Sequence, residues 1–267
     1  MCDIPAVQRI LPMPEMGSTP IQPSELSSQR FASITLEEMD TFAALQTRVD
    51  RKYIVTSQLC NELFGTININ GQVLTVNEKR STGYQSVYFD TPEFDLYKDA
   101  AYKRRPRFKA RTRFYHATGK AMLEVKTKDG RGKTVKIRTP YHAENLYELT
   151  ESGRTFIDES VQFSGSSKRL RPTLTSRYQR TTIVDRDTST RMTCDEYLIC
   201  TDLENQRLVF PYCILETKST VKPSPFDKWL WEHEYRPQRI SKYCTMLAVL
   251  HSDLPANKWH QVIKKYF

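Results

Sequence analysis

The sequence predicts an α+β fold that is mainly antiparallel β, a closed eight-stranded tunnel barrel with a few flanking helices. Apolar and polar residues alternate along most of the chain beyond residue 45, and short turn sequences rich in Gly and Asp separate the alternating segments. Cations also recur on one face of successive segments. A closed barrel accounts for all three observations, because it leaves no exposed sheet edge and gives the charged faces an interior.

Length and composition limit the function classes. The chain has 267 residues, of which 39% are hydrophobic and 11% aromatic, enough for one large β domain with its own core. Lys and Arg outnumber Asp and Glu by 40 to 31, for a formal net charge of +9. This excess favours anionic partners such as nucleotides, polyphosphate, nucleic acid or acidic lipid, without choosing among them.

Cysteine spacing and hydropathy argue against several other classes. The six cysteines show neither CxxC pairs nor Cys/His ligand spacing, so we expect reduced, mostly buried thiols and no zinc site or disulfide framework. No stretch approaches the roughly 18 to 20 apolar residues of a membrane helix, and the N-terminus lacks the apolar segment of a signal peptide. We therefore expect a cytoplasmic protein without a membrane segment.

The N-terminal part is predicted to differ from the rest. Residues 1–32 carry five prolines among Ser, Gln and Met, which indicates a flexible tail. Thr35 and Glu38 form a capping-box pair that opens a short amphipathic helix over residues 35–45. The alternating pattern begins at Gln46, and we assign the tunnel domain to residues 33–252.

Eight strands are predicted from the alternation. They cover residues 46–55, 84–90, 107–116, 120–128, 132–139, 174–184, 190–200 and 208–218. Thr118-Gly119, residues 129–132 and residues 185–189 supply turns between them. Helices are predicted over residues 142–160, 224–235, 241–251 and 257–266, the last within a C-terminal helical extension of residues 253–267.

The most informative stretch is residues 102–140, which holds fourteen Lys or Arg and only two acids, Glu124 and Asp129. Because side chains alternate along a strand, its cations fall on common faces, and later strands repeat the pattern. The charged rows are Arg48, Asp50 and Lys52; Arg107, Lys109, Arg111 and Arg113; Glu124, Lys126 and Lys128; Lys136 and Arg138; Tyr178 and Arg180; Arg191, Thr193 and Asp195; and Glu216 and Lys218.

For any one strand, an ordinary solvated face is the alternative interpretation of its row. Taken together, facing rows of cations repel one another unless a polyanion or interleaved carboxylates lie between them. We therefore predict a polar barrel interior that holds an anion and a metal ion.

These residue types fit phosphoryl chemistry. Transfer from a nucleoside triphosphate needs positioning and neutralisation of the charge on phosphate oxygens, which Arg and Lys supply. A divalent cation that bridges the phosphates needs at least one carboxylate ligand, and Glu216 and Glu124 are the candidates.

At these residues the sequence resembles the VTC (vacuolar transporter chaperone) domain, a polyphosphate polymerase of the triphosphate tunnel metalloenzyme superfamily. The likeness spans roughly residues 33–252, and the order and spacing of its segments carry it. The matching segments are TRVDRKYIV (47–55), SVYFDTPEFDLY (86–97), FKARTRFY (108–115), LEVKTKDGRGKTVKIR (123–138), SRYQRTTIV (176–184), TRMTCDEYL (190–198), ILETKST (214–220) and RISKY (239–243).

The resemblance implies a tunnel in which the triphosphate of ATP lies along the axis and its terminal phosphate passes to a growing polyphosphate chain. It implies catalytic contacts from Lys52, Arg111, Arg113, Lys126, Arg180 and Arg191, and further phosphate binding by Lys133, Tyr178, Arg239, Ser241 and Lys242. Glu216 is implied as the ligand of Mn²⁺ or Mg²⁺. Ser241 and its neighbours also stand where a helix N-terminus would donate N–H groups to an anion.

Three alternatives stay open. A tunnel phosphohydrolase acting on inorganic or nucleoside triphosphate would use the same cations, but Arg48-x-Asp50-x-Lys52 stands where hydrolytic tunnel enzymes carry Glu-x-Glu-x-Lys. A non-catalytic polyphosphate- or nucleotide-binding module would need no turnover. A nucleic-acid-binding protein, stacking bases on the aromatic residues of 102–115, is not expected because the barrel hides that face. The expected partners are ATP and inorganic polyphosphate.

Overall fold

The structure is a computed structural model that describes residues 27–42, 49–131, 133–161 and 165–267. The predicted tail before residue 27, the predicted helix end at residues 43–45 and the start of the first predicted strand, including Arg48, lie outside these ranges. In the described part, the chain forms one eleven-stranded sheet and seven α-helices. None of these helices is long and apolar enough to cross a membrane.

The predicted mainly antiparallel β class is confirmed. The strands are β1 (Ala32–Ile34), β2 (Val49–Val55), β3 (Gly71–Leu74), β4 (Ser81–Asp90), β5 (Arg107–Tyr115), β6 (Lys120–Lys128), β7 (Thr134–Tyr141), β8 (Arg171–Asp185), β9 (Thr190–Asp202), β10 (Arg207–Phe210) and β11 (Cys213–Ser219). The helices are α1 (Leu36–Phe42), α2 (Ser57–Thr66), α3 (Asp95–Ala101), α4 (Glu151–Val161), α5 (Pro225–Glu232), α6 (Cys244–Leu250) and α7 (His260–Tyr266).

The main path of the sheet is β2-β11-β9-β8-β4-β5-β6-β7, and each neighbouring pair on it is antiparallel. β3 pairs with β8 and carries β1 in parallel, while β10 pairs with β9. The sheet is curled and open, since among the described strands no ladder joins β2 to β7. The predicted closure of the barrel therefore stays a prediction.

All eight predicted strands are found, and the last is divided. Residues 208–218 contribute to two strands, β10 and β11, because Pro211 has no N–H to donate to a ladder. Gly119 has a φ of +66° in the predicted β5–β6 turn, a conformation that glycine adopts without a steric penalty.

The helix predicted over residues 142–160 is wrong in its first half, because α4 begins only at Glu151. The hydroxyl of Tyr141 donates a 2.9 Å hydrogen bond to the carbonyl of Glu148 and accepts one of 2.9 Å from the N–H of Thr150. These contacts use backbone groups that a continuous helix would need, so the segment stays a loop with a single 3₁₀ turn at Ala143–Asn145.

Two helices and two short strands, α2, α3, β1 and β3, were not predicted. The Thr56 hydroxyl caps α2 by accepting from the N–H of Leu59 at 3.2 Å. Asp90 at the end of β4 caps α3 by accepting from the N–H groups of Leu96 and Tyr97, each at 2.8 Å. The end of β4 thus sets the start of α3.

Hydrophobic packing covers the outer, convex face of the sheet. α2 and α5 pack Phe64 and Leu230 in one cluster with Leu215 of β11. α4 packs Ile157 in another with Leu123 of β6. Because side chains alternate along each strand, the charged residues between these positions point to the concave face.

α6 covers one end of the concave face. Met246 and Leu247 pack in one cluster with Ile54, Tyr88 and Ile214 from three different strands. The cluster also includes three residues of the C-terminal segment, Leu254, Trp259 and Val262. Apolar packing therefore fills this end, and the charged rows occupy the rest of the face.

Candidate functional site

The ladders bring the predicted charged rows onto one face, because directly opposite residues of neighbouring strands point the same way. Along the path, the aligned sets are Lys52 with Glu216 and Thr193; Asp50 with Lys218 and Arg191; Asp195 with Arg180 and Thr82; Tyr178 with Tyr84; Ser86 with Arg113; Tyr88 with Arg111, Glu124 and Arg138; and Lys109 with Lys126 and Lys136. The cations of seven strands therefore share the concave face.

Glu124 is the centre of a first charge cluster. Its carboxylate is buried and accepts hydrogen bonds from Arg111 Nε at 2.7 Å and from the ammonium of Lys136, with Arg113 Nη1 at 4.0 Å. Burial alone would raise the pKa of Glu124, but Arg111, Arg113 and Lys136 outweigh it and hold the pKa far below its usual range. The three cations around Glu124 thus favour its ionised form.

The charged groups of this cluster also shift the pKa of Lys136. The Lys136 side chain is 37% exposed, and its partial desolvation lowers the pKa to about 7, with Arg111 and Arg113 adding to the effect and Glu124 opposing it. The pKa of Lys136 thus lies far below that of an ordinary lysine.

Asp195 is the centre of a second cluster. It is fully buried and accepts from Arg180 Nε at 2.5 Å, from Arg180 Nη2 at 2.8 Å and from the ammonium of Lys242. Burial alone would raise its pKa, but Arg180 and Lys242 lower the pKa of Asp195 to about 2. The bidentate contact fixes the plane of the Arg180 guanidinium group.

Two stacked tyrosines lie between the clusters. The ring centroids of Tyr84 and Tyr178 are 5.5 Å apart, and the Tyr178 hydroxyl accepts from Arg113 Nη2 at 2.9 Å. The guanidinium of Arg180 lies 5.0 Å from the Tyr84 centroid, and the ammonium of Lys242 lies 4.7 Å from the Tyr178 centroid. These contacts hold long cationic side chains in place, which lowers the entropy cost of binding an anion.

Glu216 lies on the same face near the β2 edge. Its carboxylate is 3.3 Å from the ammonium of Lys218, and it stands opposite Lys52 in the ladder. Burial alone would raise the pKa of Glu216, but Lys52 and Lys218 hold it well below its usual range. Lys126 is exposed on β6; partial desolvation lowers its pKa, and the charges of Asp50, Lys52 and Glu216 also act on it.

The surroundings of Glu216 fit a hard divalent cation that is bound together with phosphates. Magnesium is usually held by one or two carboxylates, water and substrate phosphate oxygens. Glu216 is half-buried and lies 3.3 Å from the ammonium of Lys218, whereas the buried carboxylates of Glu124 and Asp195 each form close ion pairs with two cations. Among the described residues, no three carboxylates or histidines lie close enough to form a complete metal site without the substrate.

Ser241 and Lys109 meet where the chain enters α6. The Lys109 ammonium donates to the Ser241 hydroxyl at 3.2 Å, and this hydroxyl accepts from the N–H of Cys244 at 3.1 Å. α6 itself begins at Cys244, three residues later than predicted. The Lys52 ammonium lies 3.4 Å from the carbonyl of Ile240, so this loop contacts side chains of both β2 and β5 on the charged face.

A family model describes the relationship of the chain to known proteins. The model of the VTC domain matches residues 47–251. The chain belongs to the VTC domain family. At the level of sequence, no curated protein matches this VTC domain.

Two solved structures are similar to this VTC domain at low identity. The PH1819 protein from Pyrococcus horikoshii OT3 has 14% identity and a TM-score of 0.46, over 77% of this chain and 98% of its own. HpAC1 from Hippeastrum, described as having a dominant triphosphatase activity, has 14% identity and a TM-score of 0.44, over 76% of this chain and 96% of its own. Because both TM-scores are below 0.5, the assignment of the chain to its family rests on the match to the family model alone.

Not all of the predicted site residues come together in the VTC domain. Arg191 is half-buried on β9, opposite Lys218. Lys133 is exposed in the β6–β7 turn, where its backbone N–H donates to Asp129 at 2.8 Å. Arg239 is exposed in the loop before α6. In the described contacts, neither Lys133 nor Arg239 joins the clusters around Glu124 and Asp195.

Several residues of the site had no role in the sequence-based prediction. Asp195 and Lys136 stood in the charged rows but were not singled out, and the concave residues of β4, Tyr84, Ser86 and Tyr88, were not considered. Their alternation with Val87 and Phe89 was a usable signal, because these apolar residues pack on the convex side.

Proposed function

We propose that this VTC domain is a metal-dependent polyphosphate polymerase that transfers the terminal phosphate of ATP to a growing polyphosphate chain. One observation carries the proposal: two ionised, buried carboxylates are surrounded by cations from four separate elements of one concave face. These cations are Arg111 and Arg113 of β5, Lys136 of β7, Arg180 of β8 and Lys242 of the loop before α6. Membership of the VTC family supports the same function.

The cations are prepared to bind a chain of phosphates. An arginine has five N–H donors, so Arg180 keeps further donors for phosphate oxygens beyond those that contact Asp195. Lys52, Arg111, Arg113, Lys126 and Arg191 extend the positive surface along the face, and Tyr178, Ser241 and Lys242 complete it at the α6 end. We assign the exposed Lys133 and Arg239 to contacts with the parts of the polyphosphate that lie outside the concave face.

The ionisation of the carboxylates favours transfer to phosphate over hydrolysis. In the transfer, a terminal oxygen of polyphosphate forms a bond to the γ-phosphorus while the bond to the β,γ-bridging oxygen breaks and ADP leaves. This attacking oxygen is already anionic and needs no base. Attacking water must lose a proton, and Glu124, Asp195 and Glu216, all with lowered pKa values, are poor proton acceptors.

Glu216 is the residue that we assign to Mn²⁺ or Mg²⁺, with Glu124 as the second candidate. Bound there, the metal supplies Lewis-acid neutralisation of charge on the phosphate oxygens. Lys52 and Lys218 flank Glu216 and hold its carboxylate ionised. As part of the same proposal, the open side of the sheet between β2 and β7 closes around the bound polyphosphate to form a tunnel.

Incubation of the purified protein with ATP and Mn²⁺, followed by a gel stained for polyphosphate, tests this function. We expect a ladder of polyphosphate, its loss in Arg180→Ala and its retention in Arg169→Ala, a matched change at an exposed arginine that pairs with Glu93. Free phosphate without a ladder would make the protein a phosphohydrolase. Binding of ATP without either product would make it a non-catalytic module, and both results would overturn the proposal.

A further inference from the structure

A separate cluster of sulfur atoms lies on the convex side of the sheet. Cys60 of α2, Cys194 of β9 and Cys213 of β11 are all buried, and their Sγ atoms lie within 4.8 Å of one another. Because 134 residues separate Cys60 from Cys194, the spacing rules used on the sequence find no such group. The expectation of buried thiols is confirmed for these three cysteines, which the fold brings together although no spacing motif relates them.

Further polar groups adjoin the three sulfurs. The carboxylate of Glu196, only 2% exposed, has Oε1 3.7 Å from the Sγ of Cys213. The Ser57 hydroxyl lies 3.5 Å from the same sulfur, and the Sγ atoms of Cys60 and Cys194 are 3.1 Å apart. Three thiols and a carboxylate thus meet beside a hydrophobic cluster of the core.

We propose that Cys60, Cys194 and Cys213 bind a zinc ion, with the carboxylate of Glu196 as the fourth ligand. Structural zinc sites are tetrahedral and closed, with Zn–S distances of about 2.3 Å and Zn–O distances of about 2.0–2.2 Å. This geometry places two sulfurs about 3.8 Å apart and a sulfur and an oxygen about 3.6 Å apart. The observed separations of 3.1 Å and 3.7 Å are within about 1 Å of these values.

The chemistry of the ligands selects a metal other than that of the concave face. Thiolates favour zinc over Mg²⁺ and Mn²⁺, which prefer oxygen ligands such as Glu216 and phosphate. The three cysteine side chains are enclosed by apolar residues, among them Leu63, Phe64 and Leu215. The site is therefore closed to substrate, as structural zinc sites are.

The position of the cluster gives the zinc ion a structural role. Cys194 precedes Asp195 on β9 and points to the opposite face, and Cys213 and Glu216 lie on opposite faces of β11 in the same way. A zinc ion here joins α2 to β9 and β11, directly behind two carboxylates of the charged face. It would stabilise β9 and β11, the two strands that carry these carboxylates.

Metal analysis of the full chain tests the site. The protein is purified under reducing conditions without chelator, and zinc is counted by mass spectrometry; we expect about one zinc per chain. Cobalt in its place should give the charge-transfer and d–d absorption bands of a tetrahedral thiolate site. Cys213→Ser should reduce bound zinc at least about tenfold, whereas Cys200→Ser, a buried cysteine on β9 outside the cluster, should retain it.

A measurement on the unmutated protein covers the case in which Cys213→Ser does not fold. Zinc should protect Cys60, Cys194 and Cys213 from alkylation, and a chelator should expose all three while it lowers the melting temperature. Absence of zinc, zinc retained in a folded Cys213→Ser variant, or a disulfide between Cys60 and Cys194 in the protein purified under reducing conditions would each overturn the proposal. None of these results depends on polymerase activity.

Discussion

Arg113 of β5 donates a 2.9 Å hydrogen bond to the hydroxyl of Tyr178 on β8. Arg113 also belongs to the cluster around Glu124, and the ring of Tyr178 lies 4.7 Å from the ammonium of Lys242, which pairs with Asp195. This contact joins the two charge clusters into one network across β4. Coupled hydrogen bonds of this kind hold their members in a single arrangement before a ligand arrives.

Removal of the Tyr178 hydroxyl tests this connection. Tyr178→Phe leaves the buried Arg113 with one hydrogen-bond partner fewer, so we expect the free energy of unfolding to fall by about 1–3 kcal/mol. Tripolyphosphate affinity, measured by calorimetry, should fall about tenfold, because Arg113 is no longer held in position. The matched control is Tyr102→Phe at an exposed tyrosine. Equal affinities of the two variants would show that the connection does not matter for binding.

Glu124 pairs with three cations, so a neutral residue in its place should lower the stability of the folded protein. Glu124→Gln leaves Arg111, Arg113 and Lys136 without their common anion, so we expect a loss of about 3–5 kcal/mol in the free energy of unfolding. Tripolyphosphate should raise the melting temperature of this variant more than that of the unmutated protein, since phosphate oxygens replace the missing charge. Exposed Glu159→Gln serves as the control. A variant that melts like the control contradicts the ion-pair network.

We expect Lys136 to make the binding of tripolyphosphate depend on pH. Its pKa of about 7 means that its positive charge is present below this pH and is lost as the pH rises through it. We therefore expect tripolyphosphate affinity to decline between about pH 6 and 8 more steeply in the unmutated protein than in Lys136→Arg, whose guanidinium stays charged. Titration of tripolyphosphate itself affects both proteins equally. Parallel pH profiles would remove Lys136 from the binding surface.

Glu216 should separate metal-dependent turnover from substrate binding. Glu216→Gln removes the charged oxygen that we assign to the metal, so polyphosphate synthesis with Mn²⁺ should be abolished. Binding of a non-hydrolysable ATP analogue should largely persist, because the cations around Glu124 and Asp195 are unchanged. The exposed Glu159→Gln should keep full activity. Unchanged synthesis by Glu216→Gln would take Glu216 out of the metal role.

The strands were predictable because each buries one face locally. The positions of the strands needed only alternation and turn residues, as at Gly119, and these signals lie within a few positions of one another. α3 depends instead on Asp90, which also accepts a hydrogen bond from Tyr243, 153 residues further along the chain. No local pattern reports such a contact.

The site was predictable as a set of charged rows but not as a set of partners. Alternation predicts that Arg111 and Arg180 each lie on the polar face of their own strand. Which carboxylate each one contacts depends on the register between strands, which pairs Arg111 with Glu124 and Arg180 with Asp195. The cluster of Cys60, Cys194 and Cys213 needs a helix and two strands to meet, so sequence spacing gave the opposite expectation.

A crystal structure with Mn²⁺ and a non-hydrolysable ATP analogue tests the central claim most directly, because it shows where the triphosphate binds. We predict phosphate oxygens within hydrogen-bond distance of Arg111, Arg180 and Lys242, with the metal on Glu216. A triphosphate bound on the convex surface, with those side chains still paired only to Glu124 and Asp195, would contradict the account.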